Sequence, residues 1–354
     1  MRFEVRKARL EDIESINRLY LEVAGINRTR SEYMWQWEES PAGIADRWVI
    51  VDNNVSKIIG HHGIMPFFFM HKGKTILAGK TENTMVLSKY RKKIIYPVIE
   101  KRLLKNYSKK YDIIFSSMGP DSVIRMRKGL GYDVSNKWIR YDIVLGYKFY
   151  FNAVLRKFFL NKAEQLTLES DNNCEVVHLS GNVKNINTFI NNIWSQAHFS
   201  YGVTARRFWV DVKWRFFDNP YFNGYFFVYS DEHVQGYAVL KNRGNNIYQL
   251  EDIICAPFDN GKYVKFVNKI IKLISNYCKL NTLIIQTTSD NYFLLEAADK
   301  LNNRVTNLPW RLCRVCVSSN SEKERYMPRI LGKNISSKYL LNKWYTTPFM
   351  FEGR

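Results

Sequence analysis

Two hydrophobic periods organise this chain. Across residues 81–88 (TENTMVLS) the side chains alternate, which predicts a strand with Glu82, Thr84, Val86 and Ser88 on one face and Asn83, Met85 and Leu87 on the other. Across residues 94–104 (IIYPVIEKRLL) Ile94, Ile95, Val98, Ile99 and Leu103 recur at helical spacing. Proline is tolerated only in a first turn, so Pro97 predicts a helix beginning close to Ile94. A second apolar run, residues 113–117 (IIFSS), predicts a strand, and residues 120–132 (PDSVIRMRKGLGY) a further helix.

The same patterns extend to both sides. Residues 3–8 read as a strand, followed by a helix with Ile13, Ile16, Leu19, Tyr20 and Val23 as its buried stripe. Residues 48–52 and 56–65 flank an Asn53-Asn54 turn and read as a hairpin. The run at 64–70 (IMPFFFM) reads as a short buried strand or edge, and residues 138–145 (WIRYDIVL) as the last strand of this half.

The second half repeats the order. Residues 214–220 answer 37–41, and the step from Pro41 to Asp52 is eleven residues, as is that from Pro220 to Asp231. The strand at 225–229 answers 48–52, the one at 248–257 answers 81–88, and the one at 283–290 answers 113–121. A helix with Val264, Val267, Ile270, Ile271 and Ile274 as its stripe stands between the last two. Residues 310–315 answer 138–143. An offset of roughly 170–180 residues holds throughout, the mark of a duplicated unit. The expected class is mixed α/β (α+β) in two modules, each a mixed, mostly antiparallel twisted sheet flanked by helices. The expected boundaries are a module over 1–146, a joining segment over 147–172, a second module over 173–318 and a basic tail over 319–354. The basic, aromatic stretch 147–160 (YKFYFNAVLRKFFL) reads as a linker helix rather than a membrane contact.

Charge narrows the partners. The chain carries 53 Lys and Arg against 33 Asp and Glu, a formal charge of +20. Nucleic acid, an anionic membrane surface or phosphate-rich substrates would each match it. With no zinc-finger spacing, no aromatic RNA-binding strand and no long tail of consecutive Lys and Arg, small phosphorylated substrates rank above nucleic acid, with at most peripheral membrane contact. No apolar run approaches a membrane span of ~20 residues. Five cysteines, an odd number, with no signal-like start argue for the cytoplasm. Cys313 and Cys316 lie three apart on an expected strand and so face opposite sides, which argues against a metal site.

Between the strand at 81–88 and its helix stand Lys89, Arg91, Lys92 and Lys93. Cations at a helix N-terminus oppose its dipole, and a bound anion would reverse that cost. Here the chain resembles the GNAT acyltransferase superfamily, whose loop between fourth strand and third helix holds the pyrophosphate of coenzyme A. In VLSKYRKKIIY (86–96), Tyr90 and Arg91 match the family's Tyr-Arg pair, Lys93 its lysine and Ile95 its isoleucine; Lys92 and Ile94 replace both glycines. In 120–132, Leu130, Gly131 and Tyr132 match the close of the family's next helix, while Arg127 falls where the general-acid tyrosine often stands and Pro120 where the asparagine does. The second module has Asp259, Asn260, Gly261 and Lys262 in place of the basic cluster, so one donor site per chain is expected.

The resemblance implies an N-acyltransferase using acyl-CoA and no metal. It implies a donor site of Val86, Leu87, Arg91, Lys92, Lys93, Ile94, Ile95 and Tyr96, with the backbone N–H near Val86 or Leu87 polarising the thioester carbonyl. Candidates for acid–base and orienting roles are Glu82 first, then Thr84 and Asp252; candidates to hold the acceptor are Trp37, His61, Trp214 and Tyr221. His61 and His62 are adjacent on a strand, so at most one can enter a cleft. The tandem arrangement resembles the N-acyltransferases of bacterial surface-polysaccharide clusters, those of anthrose biosynthesis among them, which acylate a dTDP-linked 4-amino-4,6-dideoxyhexose. The resemblance therefore implies a nucleotide-linked amino sugar as acceptor. The alternatives are a non-catalytic scaffold for an anionic partner and an enzyme acylating an aminoacyl or peptide amine.

Overall fold

The computed structural model describes residues 3–93, 95–117, 121–133, 138–144, 174–177, 185–277, 282–306, 316–318, 326–330 and 344–350. Two mixed sheets form the frame. The first runs β1 (Phe3–Lys7), β2 (Asp46–Asp52), β3 (Lys57–His71), β4 (Lys74–Val86) and β5 (Ile113–Ser117), with the two-residue β8 (Thr204–Ala205) paired to the far end of β3. The second runs β7 (Cys174–Val177), β9 (Gly224–Ser230), β10 (Gln235–Asn242), β11 (Ile247–Ala256) and β12 (Thr282–Thr288). In each, every pair is antiparallel except one: β4 with β5, and β11 with β12. The two-module α/β arrangement expected from the repeat is therefore present.

Helices cover both faces of the first sheet. On one side lie α1 (Ile13–Ala24) and α2 (Arg30–Trp37); on the other lie α3 (Ile95–Tyr107) and α4 (Asp121–Gly129). Ile13, Ile16 and Leu19 bury the α1 stripe, and Ile99 and Leu103 that of α3. α2 is capped by Thr29, which accepts from the Glu32 N–H while Glu32 reaches back to the Thr29 N–H. Around the second sheet stand α5 (Ile186–Ala197), the single turn α6 (Trp209–Val212) with the wide turn Lys213–Phe217, α7 (Asn260–Tyr277) and α8 (Tyr292–Thr306).

Two expected edges are exchanged. The strand at 138–145, read as the last of the first half, is β6 (Trp138–Val144) and pairs antiparallel with β12 of the second sheet, flanked by β13 (Cys316–Ser318). The stretch read as a basic tail supplies β14 (Tyr326–Ile330), which pairs with β5 of the first sheet. Residues 344–350 of that stretch are buried in the second module. Duplicated sheets present equivalent open edges, and an open edge takes whichever strand reaches it; the repeat pattern is identical for both choices. The expected linker helix at 147–160, the strand at 310–315 and Cys313 lie outside the described residues. The run at 64–70 is part of a single fifteen-residue strand, β3.

Each sheet carries a bulge where its parallel pair ends. In β4, Gly63 faces Glu82 and His61 faces Met85, so His62 alone opposes both Asn83 and Thr84. Asn83 takes φ 47, a left-handed conformation that asparagine tolerates. In β11, Val239 faces Asp252 and Leu240 faces Leu250, leaving Glu251 as the extra residue. A bulge bends a strand and adds twist. β4 leaves β5 after Lys80 and Phe115, and β11 leaves β12 after Leu250 and Ile285.

Candidate active site

The bulge at Asn83 decides which way the β4 side chains point. Residues directly opposite on neighbouring strands share a face. Glu82 therefore shares the α1/α2 face with Gly63 and Arg47, while Thr81 shares the α3/α4 face with Ile64. Thr84 lies 2.9 Å from His62 Nδ1, whose ring sits beside Tyr107 of α3. Glu82 and Thr84 thus face opposite sides of the sheet, whereas strict alternation placed them together; the inserted residue reverses the phase.

On the α3/α4 face the parting strands are bridged by one side chain. Arg127 of α4 donates to Ser116 of β5 and, at 3.1 Å, to Thr81 of β4. Its Nε lies 3.4 Å from Glu100 of α3, and both groups are almost completely buried. Tyr132 donates to Glu100 at 3.0 Å. Arg127 therefore braces the apex of the wedge, at the position where the sequence resemblance puts a tyrosine.

At the mouth of the wedge, Leu87 N–H donates to the Ile59 carbonyl at 2.9 Å. That bond engages the Leu87 N–H, so Leu87 is removed as an oxyanion donor. Gly60 and Val86 then form a non-hydrogen-bonded pair. The Val86 N–H and carbonyl consequently point away from β3, toward the edge β5 has left. Arg91 Nε donates to that carbonyl at 3.0 Å. Residues 88–93 form a tight 3-10 turn anchored by Tyr90, whose hydroxyl donates to Asp52 at 3.0 Å and whose ring meets Phe3 edge-on. Tyr90 is buried and structural; Lys89 and Arg91 are exposed. The side chains of Lys92, Lys93, Ile95 and Tyr96, and all of Ile94, lie outside the described residues.

The opposite face of the wedge is polar and closely held. Glu82 pairs with Lys80 at 2.6 Å and accepts from Asn83 Nδ2 at 3.0 Å. Burial alone would raise the Glu82 pKa, but the Lys80 ammonium and the Asn83 bonds outweigh it and hold the carboxyl below the usual range. Glu82 keeps 27% of its side chain exposed against 4% for Lys80, so the carboxylate is the reachable partner. Arg28 braces the bulge, donating to Asn83 Oδ1 at 3.3 Å, Gln36 at 3.1 Å and Asn17 at 2.7 Å.

No family model and no curated protein matches the chain. Solved structures do. A conserved protein of Enterococcus faecalis V583, described as a probable N-acyltransferase, matches at TM-score 0.60 and 11% identity over 93% of this chain and 72% of its own. A GCN5-related N-acetyltransferase from Anabaena variabilis ATCC 29413 matches at 0.58 and 17% identity over 93% and 73%. Saccharomyces cerevisiae N-myristoyltransferase with bound myristoyl-CoA matches at 0.54 and 11% identity over 92% and 82%. This is the GNAT fold.

The two modules differ in what fills the wedge. In the second, residues 344–350 of the chain lie between β11 and β12. Tyr345 donates to the Ile253 carbonyl and Thr347 to Asp252 at 2.7 Å, both on β11. From the other side Thr287 of β12 donates to the Thr346 carbonyl at 2.6 Å, and Asn291 does so at 2.9 Å. Asp252 is fully buried against Arg207 at 2.8 Å and also accepts from Tyr237 at 2.8 Å. Of the two roles open to Asp252, orienting an acceptor or pairing with a cation, the geometry is that of the second.

The expected acceptor residues are dispersed. Trp37 is completely buried and lies over Gly63, where a Cβ would collide with its ring. His61 packs edge-on against Trp37, and its Nδ1 lies 2.9 Å from the Asn83 carbonyl, so that nitrogen carries the proton. Burial pushes both His61 and His62 down to about 3. Trp214 is buried against Trp35, and Tyr221 is half-buried on the edge of the same ring. Sequence reading passed over Lys80, Glu100 and Arg28, which support the wedge; each stands near other charged residues (Glu82; Lys101 and Arg102; Arg30), and the pattern does not mark which of them turns inward. Among the described residues no cluster of His, Cys, Asp and Glu could hold a metal ion, and no helix is long and apolar enough to cross a membrane.

Proposed function

We propose that the chain is an acyl-CoA-dependent N-acyltransferase with one donor site, in the first module. The observation that carries this reading is the contrast between the wedges. Among the described residues, the second is occupied by residues 344–350, whereas the first is bridged at its apex by Arg127 and borders a turn bearing Lys89 and Arg91.

In this reading the phosphates of the donor lie at the turn 88–93 and the N-terminus of α3, where free N–H groups favour an anion. The thioester carbonyl accepts from the Val86 N–H at the open edge, where the developing oxyanion gains most. The amine nitrogen of the acceptor attacks the carbonyl carbon, the C–S bond breaks, and coenzyme A leaves as its thiolate. Glu82, ionised at neutral pH, takes the amine proton directly or through one water. The acceptor is a nucleotide-linked amino-deoxy sugar used in surface-polysaccharide synthesis, an assignment resting on the sequence resemblance and the basic charge.

Calorimetry with coenzyme A tests the donor site: one site per chain is expected. The double substitution Arg91→Ala, Lys93→Ala should weaken it by roughly 1–3 kcal/mol, the range for charge-assisted hydrogen bonds. Two sites, or unchanged affinity, would overturn the assignment. An acyl-CoA screen against dTDP-linked amino sugars, read by mass spectrometry, tests the acceptor.

A further inference from the structure

Among the described side chains, the exposed charges of α3 and α4 are all of one sign. Lys101, Arg102, Lys105 and Lys109, along and just beyond α3, are exposed, as are Arg125 and Lys128 on α4. Among the described side chains between Lys89 and Lys128, no exposed one is acidic. Glu100, the carboxylate of α3, is turned inward to Arg127 and Tyr132. The two helices are joined on one face of the sheet by the Arg127–Glu100 pair, and both carry exposed cations.

The duplicated module supplies an internal control. Among their described side chains, the corresponding helices α7 and α8 expose Lys262, Lys265, Lys269 and Lys300, and three of these, Lys262, Lys269 and Lys300, pair with Asp259, Asp231 and Glu296. The same position in the second module is therefore largely charge-balanced.

Coenzyme A is too small to account for it. Its phosphates belong at the turn before α3, while α3 continues for thirteen residues, about 20 Å of helix. A lipid surface would be met by exposed apolar side chains beside the cations; among the described side chains of this layer the exposed positions are Lys, Arg, Ser, Asn and Gly.

We infer that the basic α3/α4 surface docks an acidic carrier protein that presents the acyl group on a phosphopantetheine arm to the first wedge. The inference rests on the donor site proposed above and names a second form of donor. The arm carries one phosphate where coenzyme A carries more. That suits a turn with Lys92 and Ile94 in place of glycines, since the carrier's carboxylates supply the remaining attraction. Complementary charge of this kind raises association rate and falls with added salt.

The test is binding of a purified bacterial holo acyl carrier protein to the full chain, followed by fluorescence anisotropy, beside calorimetry with coenzyme A. The variant is Lys101→Glu, Arg102→Glu, Lys105→Glu, which leaves the donor turn intact. Expected are salt-dependent carrier binding, a loss of at least about tenfold in the triple variant, and coenzyme A affinity within about twofold of wild type. Coenzyme A binding with no carrier binding would overturn the inference and leave the donor site standing. So would loss, in the variant, of binding to phosphatidylserine vesicles when no carrier is bound. If neither coenzyme A nor carrier binds, the donor site itself falls. Circular dichroism on the variant guards against misfolding, and Arg125→Glu, Lys128→Glu repeats the test on the other helix.

Discussion

Trp35 and Trp214 stack with ring centroids 5.3 Å apart, and each indole donates to the other's main-chain carbonyl, at 2.8 and 3.1 Å. The two residues stand 179 positions apart, the offset of the repeat. Such reciprocity, in which each residue does to its mate what the mate does to it, is the signature of a two-fold contact. Here the dyad lies within one chain and joins its modules. Phe67 and Tyr221 complete the cluster.

Trp214→Ala should cost about 3–5 kcal/mol in urea unfolding, the range for deleting a buried aromatic. Trp35→Phe keeps a ring and loses one hydrogen bond, about 1 kcal/mol. The double substitution should show coupling above about 0.5 kcal/mol. Strictly additive losses would mean that the two rings are independent core residues.

Glu82→Gln keeps shape and removes basicity, so turnover should fall by ~10²–10⁴ with coenzyme A affinity unchanged. A fall of under about tenfold, with the acidic limb of the pH profile intact, would remove Glu82 from the mechanism. Lys80 supplies the finer test. It lowers the Glu82 pKa, and the base works only above that pKa, so Lys80→Met should move the acidic limb to higher pH. A limb that stays in place would show that another group governs it.

Asp252→Asn leaves Arg207 buried without its countercharge and should destabilise the chain by about 3–5 kcal/mol. Hydrogen exchange should rise at residues 344–350, because Thr347 and Arg207 are both held by that carboxylate. The count of coenzyme A sites should remain one. Unchanged protection of 344–350 would mean that the apolar contacts of Trp344, Phe349 and Met350 suffice to hold the segment.

His61 and His62 are neutral in the folded chain, at about 3 against an ordinary value of 6.5. A depressed basic group contributes stability that is complete above its unfolded pKa and is lost as pH falls. Between pH 6.5 and 3 the unfolded chain binds two more protons at these sites, so stability should drop by up to about 1.4 kcal/mol per pH unit for each. The double substitution His61→Gln, His62→Gln should flatten that slope in chemical unfolding. Equal slopes in the two proteins would assign the acid sensitivity elsewhere.

The order of elements, their duplication and the position of the basic turn were legible in the sequence, because each is written in local pattern. Ile94 to Leu103 recur every three or four residues, and nothing distant is needed to read a helix there. The single basic turn was equally plain, since charge at 89–93 and its replacement at 259–262 are facts of composition.

Three things waited for the tertiary structure. The facing of Glu82 and Thr84 depended on one inserted residue, Asn83, and a bulge is visible only against the strand it opposes. The strands at 138–144 and 326–330 could have closed either sheet, because equivalent edges offer the same hydrogen bonds; chain geometry made the choice. The burial of residues 344–350 was hidden because Tyr345, Thr346 and Thr347 read as polar, and polarity on the page says nothing about partners. Only folding brought them to Asp252, Ile253, Thr287 and Asn291, whose hydrogen bonds make a polar segment fit to fill a cleft.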